Sequence, residues 1–232
     1  NMVTSIEEGA PTATTAMLAD ELKTSFEGSL KGLQESDCIV ALGVNLIDSH
    51  EVPGFFVKRI HAEGTKLVTI DPSPNPMDVL SDKVLKGKKG SDLELVEGLH
   101  AALYKQNYLT GDAPFDVNKT LTKASAGSGI SEEDILETAA ILGQSRNPYF
   151  VYGKGITRNN DNSALKALIN LAKEINKGET QNIISVKGQA NSVAASQYAL
   201  DKSFELNGHK AAFIAIADDE PSERLIEKVE KS

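Results

Sequence analysis

A single cysteine in 232 residues leaves no partner for an internal disulfide and no CxxC pair for a metal or iron–sulfur cluster. That residue, Cys38, stands beside Ile39, Val40 and Ala41, the apolar setting of a buried strand position. One thiol without a disulfide framework fits a reducing, cytoplasmic compartment. No apolar run approaches the roughly 20 residues that cross a bilayer. No charged segment followed by an apolar one opens the chain, so no secretory signal is expected. Basic charge is short as well: 24 Lys and Arg face 33 Asp and Glu, a net charge of −9. A nucleic-acid partner, which calls for a basic face, is therefore excluded from the expectations.

The motifs that mark many active sites are absent too. The four histidines, His50, His61, His100 and His209, form no HExxH and no i,i+4 pair. There is no GxSxG elbow and no Walker loop. His61 and His100 fall near predicted helix ends, where solvated or dipole-stabilising roles are expected. The acidic pairs Glu132-Glu133 and Asp218-Asp219 read as helix starts, where the dipole favours them. No catalytic residue and no metal site is nominated.

What is present is an ordinary globular balance, 40% hydrophobic and 25% charged, in a length that holds one generous α/β domain or one domain plus part of another. Helices are predicted over residues 11–24, around Leu30–Leu33, after an Asp48-Ser49 cap, over Asp92–Tyr104, from Ser131 to Leu142, over Ser163–Asn176 and over Ser222–Lys231. Strands are predicted at Cys38–Leu42, Lys66–Ile70, Val84–Lys86, Tyr149–Tyr152, Ile183–Val186 and Lys210–Ala217. Residues 105–130, polar and glycine-bearing, read as irregular. Strands separated by helices in this rhythm point to a doubly wound, mostly parallel sheet with helices on both faces.

In such sheets ligands sit at the carboxyl ends of the strands, and three loops there invite that reading. Gly43-Val44-Asn45 follows the first strand: glycine admits a close backbone approach and Asn offers donor and acceptor, or the three form a plain turn. Asp71-Pro72-Ser73-Pro74 follows the second: the carboxylate can accept from ribose hydroxyls or a base edge, or cap a rigid turn. Gly90-Ser91-Asp92 follows the third. Gly153-Lys154-Gly155 can bring amides to a phosphate, yet a full GxGxxG is missing because Arg158 takes the third position; a turn is the simpler reading.

Together these segments resemble the molybdopterin oxidoreductases, a family that includes formate dehydrogenases, nitrate reductases and the large iron–sulfur subunit of NADH:quinone oxidoreductase. ESDCIVALGVNLIDSHEVPGF resembles its D-I-hydrophobic-G-x-N-x-x-x-x-H-P segment, with Asp37, Gly43, Asn45 and His50 in place. LVTIDPSPNPMDVLSDKVL resembles VVDPR-T-x-T-A-x-x-A-D, keeping Asp71, Pro72 and Asp82. KGSDLELVEGL resembles PGTD-x-A-L-x-x-G, keeping Gly90, Asp92 and Gly98. VYGKGIT, ALINLAKEIN, VKGQANSVAA and AFIAIADDEP are similar to further segments in the family's order.

The resemblance implies that these loops hold the guanosine and phosphate ends of a molybdopterin guanine dinucleotide. It nominates Gly43, Asn45, Asp71, Pro72, Ser73, Gly90, Ser91 and Asp92 as cofactor-binding residues. Two departures stand out. The pattern's DPR arginine is Ser73, and EEGAPTATTAML places Glu8 where the family carries a metal-ligating cysteine or selenocysteine. With the thiolate and arginine lost, the resemblance tilts toward the NADH:quinone oxidoreductase large subunit, as a scaffold for electron transfer; a formate-dehydrogenase-like fragment is the alternative. Residues 1–180 are expected to form the nucleotide-binding-type domain and 181–232 the start of an adjoining one. The chain is expected to be part of a longer subunit, inert alone, whose partners are that subunit's other domains and other redox subunits. Outside the redox class, a stand-alone nucleotide-binding or interaction module built on Gly43, Asp71 and Gly153 remains open.

Overall fold

A computed structural model describes residues 29–157, 163–178, 182–186, 211, 213–214 and 223–231. Its centre is a sheet of five parallel strands: β1 (Cys38–Leu42), β2 (Lys66–Ile70), β3 (Lys83–Leu85), β4 (Pro148–Tyr152) and β5 (Ile183–Ser185). The helices are α1 (Leu30–Gln34), α2 (Glu51–Ala62), α3 (Asp92–Lys105), α4 (Val117–Ser128), α5 (Glu132–Gly143), α6 (Ser163–Ile175) and α7 (Glu223–Glu230), with short 3-10 turns at Pro76–Val79 and Lys154–Thr157.

The strand order is β3-β2-β1-β4-β5. The chain winds outward from β1 to β2 and β3, then returns through three helices to the other side of β1. The order therefore reverses between β1 and β4, whose registers run Cys38↔Pro148 to Leu42↔Tyr152. The predicted doubly wound sheet is present, and it is parallel at every described pairing.

Alternation within β1 divides the core. Cys38, Val40 and Leu42 face one apolar layer with α3 to α6; Ile39 and Ala41 face the other with Leu33 of α1 and Val57 and Ile60 of α2. Both faces of the central strands are covered, which is why they read as continuous apolar runs rather than alternating ones. The strands are tied at their amino ends by carboxylates. Asp37 accepts from the amides of Arg146 (2.8 Å) and Asn147 (3.0 Å) and from the Ser145 hydroxyl, joining β1 to the approach of β4. Asp82 accepts from Lys66 Nζ (2.7 Å) and the Leu67 amide (2.9 Å), joining β2 to β3.

Several expectations need correction. Residues 105–130 are not all irregular, because α4 occupies 117–128. Asp116 caps it by accepting from the Lys119 amide, and Gly129 ends it in the left-handed region. Its buried stripe is only Leu121, Ala124 and Ser128, too sparse to show a helical period. The helix after Asp48 starts at Glu51 with His50 at the cap; the Asp48 carboxylate takes the Asn45 amide at 2.8 Å instead. His100 is buried (8% exposed), with Nε2 2.6 Å from Glu174 of α6, so the solvated reading fails. The edge strand β5 pairs Ile183 and Ile184 with Phe150 and Val151 of β4. The predicted helix over 11–24, Glu8, Arg158, His209, Asp218-Asp219 and five of the eight residues of the strand predicted at 210–217 lie outside the described residues.

Candidate functional site

The carboxyl ends of β1, β2 and β4 open on a cleft of about 250 Å³. It is lined by Gly43, Asp71, Pro72, Lys89, Gly90, Asp92, Leu93, Gly155, Ile156, Ser163 and Ala164. The cleft lies where the strand order reverses, the position at which open α/β sheets take ligands.

Its floor is made by two loops in backbone contact. Gly43 follows β1 with φ +55°, a conformation that costs a side-chain-bearing residue about 1 kcal/mol or more. Its amide donates to Ile70 of β2, and its carbonyl accepts the Gly155 amide at 2.9 Å. A Cβ on Gly43 would lie 2.8 Å from Gly155 Cα, and one on Gly155 would lie 2.5 Å from Gly43 Cα. The loops after β1 and β4 thus meet only because both residues are glycine.

The wall from β2 is an Asx turn. Asp71 accepts from the Ser73 amide at 2.8 Å, and its other oxygen is 3.3 Å from the Asn75 side-chain nitrogen. Asn75 is buried; it also donates to Val44 O (2.8 Å), accepts from Met77 N (3.0 Å) and caps the 3-10 turn, pinning the β2 loop to the β1 loop. Lys86 closes the outer side, with Nζ 2.6 Å from Ser73 O and 2.7 Å from Asp78.

The third wall is the start of α3. Asp92 is its first residue, preceded by Gly90 at φ +85° with open space where a Cβ would stand. The start of α6, Ser163-Ala164, forms the fourth. First-turn amides have no partner inside a helix and carry partial positive charge, so two helix starts facing one cleft favour an anion there.

Of the eight residues nominated from sequence, Gly43, Asp71, Pro72, Gly90 and Asp92 line this cleft. Asn45, Ser73 and Ser91 do not. The Asn45 oxygen accepts from the Ile47 and Asp48 amides, both at 3.1 Å, as a turn former does. Ser73 turns its amide to Asp71 and its carbonyl to Lys86. Ser91 is buried, and its hydroxyl donates to Lys88 O at 2.7 Å. Sequence reasoning did not nominate Lys89, Leu93, Gly155, Ile156, Ser163 or Ala164. The strand–GKG–helix order after Tyr152 was the available signal for Gly155 and Ser163. Among the described residues, no group of three or more His, Cys, Asp or Glu could hold a metal ion, and no helix is long and apolar enough to cross a membrane.

A parallel sheet with a glycine-floored cleft at its reversal point is the architecture of doubly wound α/β domains that take ligands at their strand ends. The chain belongs to the molybdopterin oxidoreductase family, whose model matches residues 2–231. Curated relatives include the F420-dependent formate dehydrogenase subunit alpha of Methanocaldococcus jannaschii, 28% identical over 163 residues, covering 64% of this chain and 24% of that protein. The F420-dependent formate dehydrogenase 2 subunit alpha of Methanococcus maripaludis is 30% identical over 145 residues, covering 57% and 21%. The chain thus spans about a quarter of the length of these relatives. Among solved structures, acetylene hydratase from Pelobacter acetylenicus shares the fold, with a TM-score of 0.60 at 17% identity over 74% of this chain and 25% of that one.

Proposed function

We propose that this chain is the nucleotide-binding domain of a formate-dehydrogenase-type molybdopterin oxidoreductase subunit, and that its cleft receives the guanine nucleotide end of the cofactor. The tilt toward the NADH:quinone oxidoreductase large subunit finds no support in the relatives named above, which are formate dehydrogenase subunits. The observation that carries the reading is the meeting of Gly43, Asp71, Gly90 and Asp92, distant in sequence, in one cleft at the strand ends.

The residues present suit such a group. Asp71 offers an acceptor for a base edge or a ribose hydroxyl. The two helix starts offer backbone donors to phosphate, and the glycine loops let a ligand approach the backbone closely. The cleft volume of about 250 Å³ lies near the lower end of the roughly 300–1,000 Å³ of typical small-molecule pockets. When bound, the cofactor supplies the oxidation–reduction chemistry; the residues of this chain bind and orient it. The remainder of the cofactor, the metal ligand and the electron-transfer partners then belong to other domains of the same subunit and to further redox subunits.

Equilibrium binding of GMP, GDP, NAD and NADP to the chain tests the assignment. Preference for the guanine nucleotides is expected, weakened by Asp71→Asn. Micromolar NAD binding with none of GMP or GDP would instead favour a stand-alone nucleotide module.

A further inference from the structure

The sequence-derived ligand set contains no cation, yet the cleft lining includes one basic residue, Lys89. We propose that Lys89 is the phosphate-binding cation of this cleft and that Ser91 positions it; the assignment rests on the nucleotide reading above and deepens it.

Four lysines lie in the segment from β3 to α3, and three are committed to the protein. Lys83 Nζ bridges Asp134 (2.7 Å) and Glu137 (2.6 Å) of α5. Lys86 holds Asp78 and the Ser73 carbonyl. Lys88 reaches Ala126 O at 3.4 Å, its stem lying against Gly129. Among the described residues Lys89 makes no ion pair, and it borders the cleft. The turn that sets it there is closed by Ser91, whose amide (3.1 Å) and hydroxyl (2.7 Å) both donate to Lys88 O. Ser91, nominated from sequence as a ligand, thereby fixes the backbone on either side of Lys89.

Charge favours a cation at this cleft. Asp71 and Asp92 also border the cleft, and negative charge beside a bound phosphate is offset by a nearby cation. The sequence departs from the family pattern in the matching sense. Position 73 has serine where the pattern has arginine, and position 89 has lysine where the pattern has proline. A lysine is suited to a phosphate group as a flexible point charge.

Binding of guanosine, GMP and GDP to the 232-residue chain, measured by calorimetry for the unaltered protein, Lys89→Ala, Lys89→Arg and Lys88→Ala, tests the assignment. Losing one charge-assisted phosphate contact is expected to weaken GDP about tenfold in Lys89→Ala. Guanosine affinity stays unchanged, Lys89→Arg retains GDP, Lys88→Ala has no comparable effect, and the salt dependence of GDP binding flattens in Lys89→Ala. Unchanged GDP affinity in Lys89→Ala, or an equal loss for guanosine, overturns the Lys89 assignment alone. If the unaltered chain binds no guanine ligand, the cleft reading falls and Lys89 with it.

Discussion

The Gly155 amide donates to the Gly43 carbonyl across 2.9 Å, so the loop after β4 rests directly on the loop after β1. Neither residue has room for a methyl group, since a Cβ on either would meet backbone of the other loop within 2.8 Å. The cleft floor is therefore a product of backbone packing at the point where the strand order reverses.

Alanine at either glycine should cost stability and distort the floor. Gly43→Ala combines a positive φ with a backbone overlap, and Gly155→Ala has the shorter overlap. About 2–4 kcal/mol is expected for each, read from urea unfolding midpoints. A loss within about 0.5 kcal/mol, the range of ordinary surface changes, would contradict the packing described here.

Asn75 should matter more than its absence from the nominated ligands implies. Asn75→Ala strips the Val44 carbonyl and the Met77 amide of buried partners at 2.8 and 3.0 Å. A loss of about 1–3 kcal/mol is expected, together with faster amide exchange across residues 71–79. Exchange unchanged in that loop would show that Asn75 does not hold it.

Acid should weaken the fold through the carboxylates that tie the strands. Burial pushes the Asp37 carboxyl up, but the Ser145 hydroxyl and the Arg146 and Asn147 amides outweigh it and hold it below its ordinary value. The same balance, with Lys66 and the Leu67 amide, lowers Asp82. Hydrogen bonding to Lys83 lowers Asp134. Each folded-state value lies below the unfolded value near 3.8, so the stabilisation is complete above it and is lost as pH falls through the folded-state values. Urea midpoints should be level from pH 7 to about 5 and drop below about 4, with a shallower drop in Asp37→Asn. An equally steep acid limb in that variant would remove Asp37 from the account.

Cys38 should be inert in the folded protein. It is 1% exposed, and burial, helped by the charges of Asp37 and Asp82, pushes its thiol up to about 12. Alkylation at pH 8 should proceed only in denaturant; rapid labelling of the native chain would contradict the core placement. Metal analysis of the purified chain should find no stoichiometric molybdenum, tungsten or iron, and bound molybdenum would reopen Glu8 as a ligand.

The sheet was legible in the sequence because its strands are continuous apolar runs, Cys38–Leu42 and Pro148–Tyr152 among them, each ended by glycine. Helix α4 was not, because Gly98 of α3 lets it approach closely with little more than Leu121 and Ala124 at the contact. At the site, motif order brought out Gly43, Asp71 and Asp92. It could not separate residues that face the cleft from those that build it: Asp37 and Asp82 match the family pattern yet tie the opposite ends of the strands. Asn45, Ser73 and Ser91 match by position while their polar atoms close local turns. Lys89 was hidden in a run of lysines whose partners only the fold reveals.

The most direct test is nuclear magnetic resonance of the isotope-labelled chain titrated with GDP, following backbone amides. The account expects the largest shifts together at Gly43, Gly90, Gly155 and Ser163, with residues near Asp37 and Asp82 unmoved. Saturable shifts confined to any other surface, with these four amides still, would contradict it.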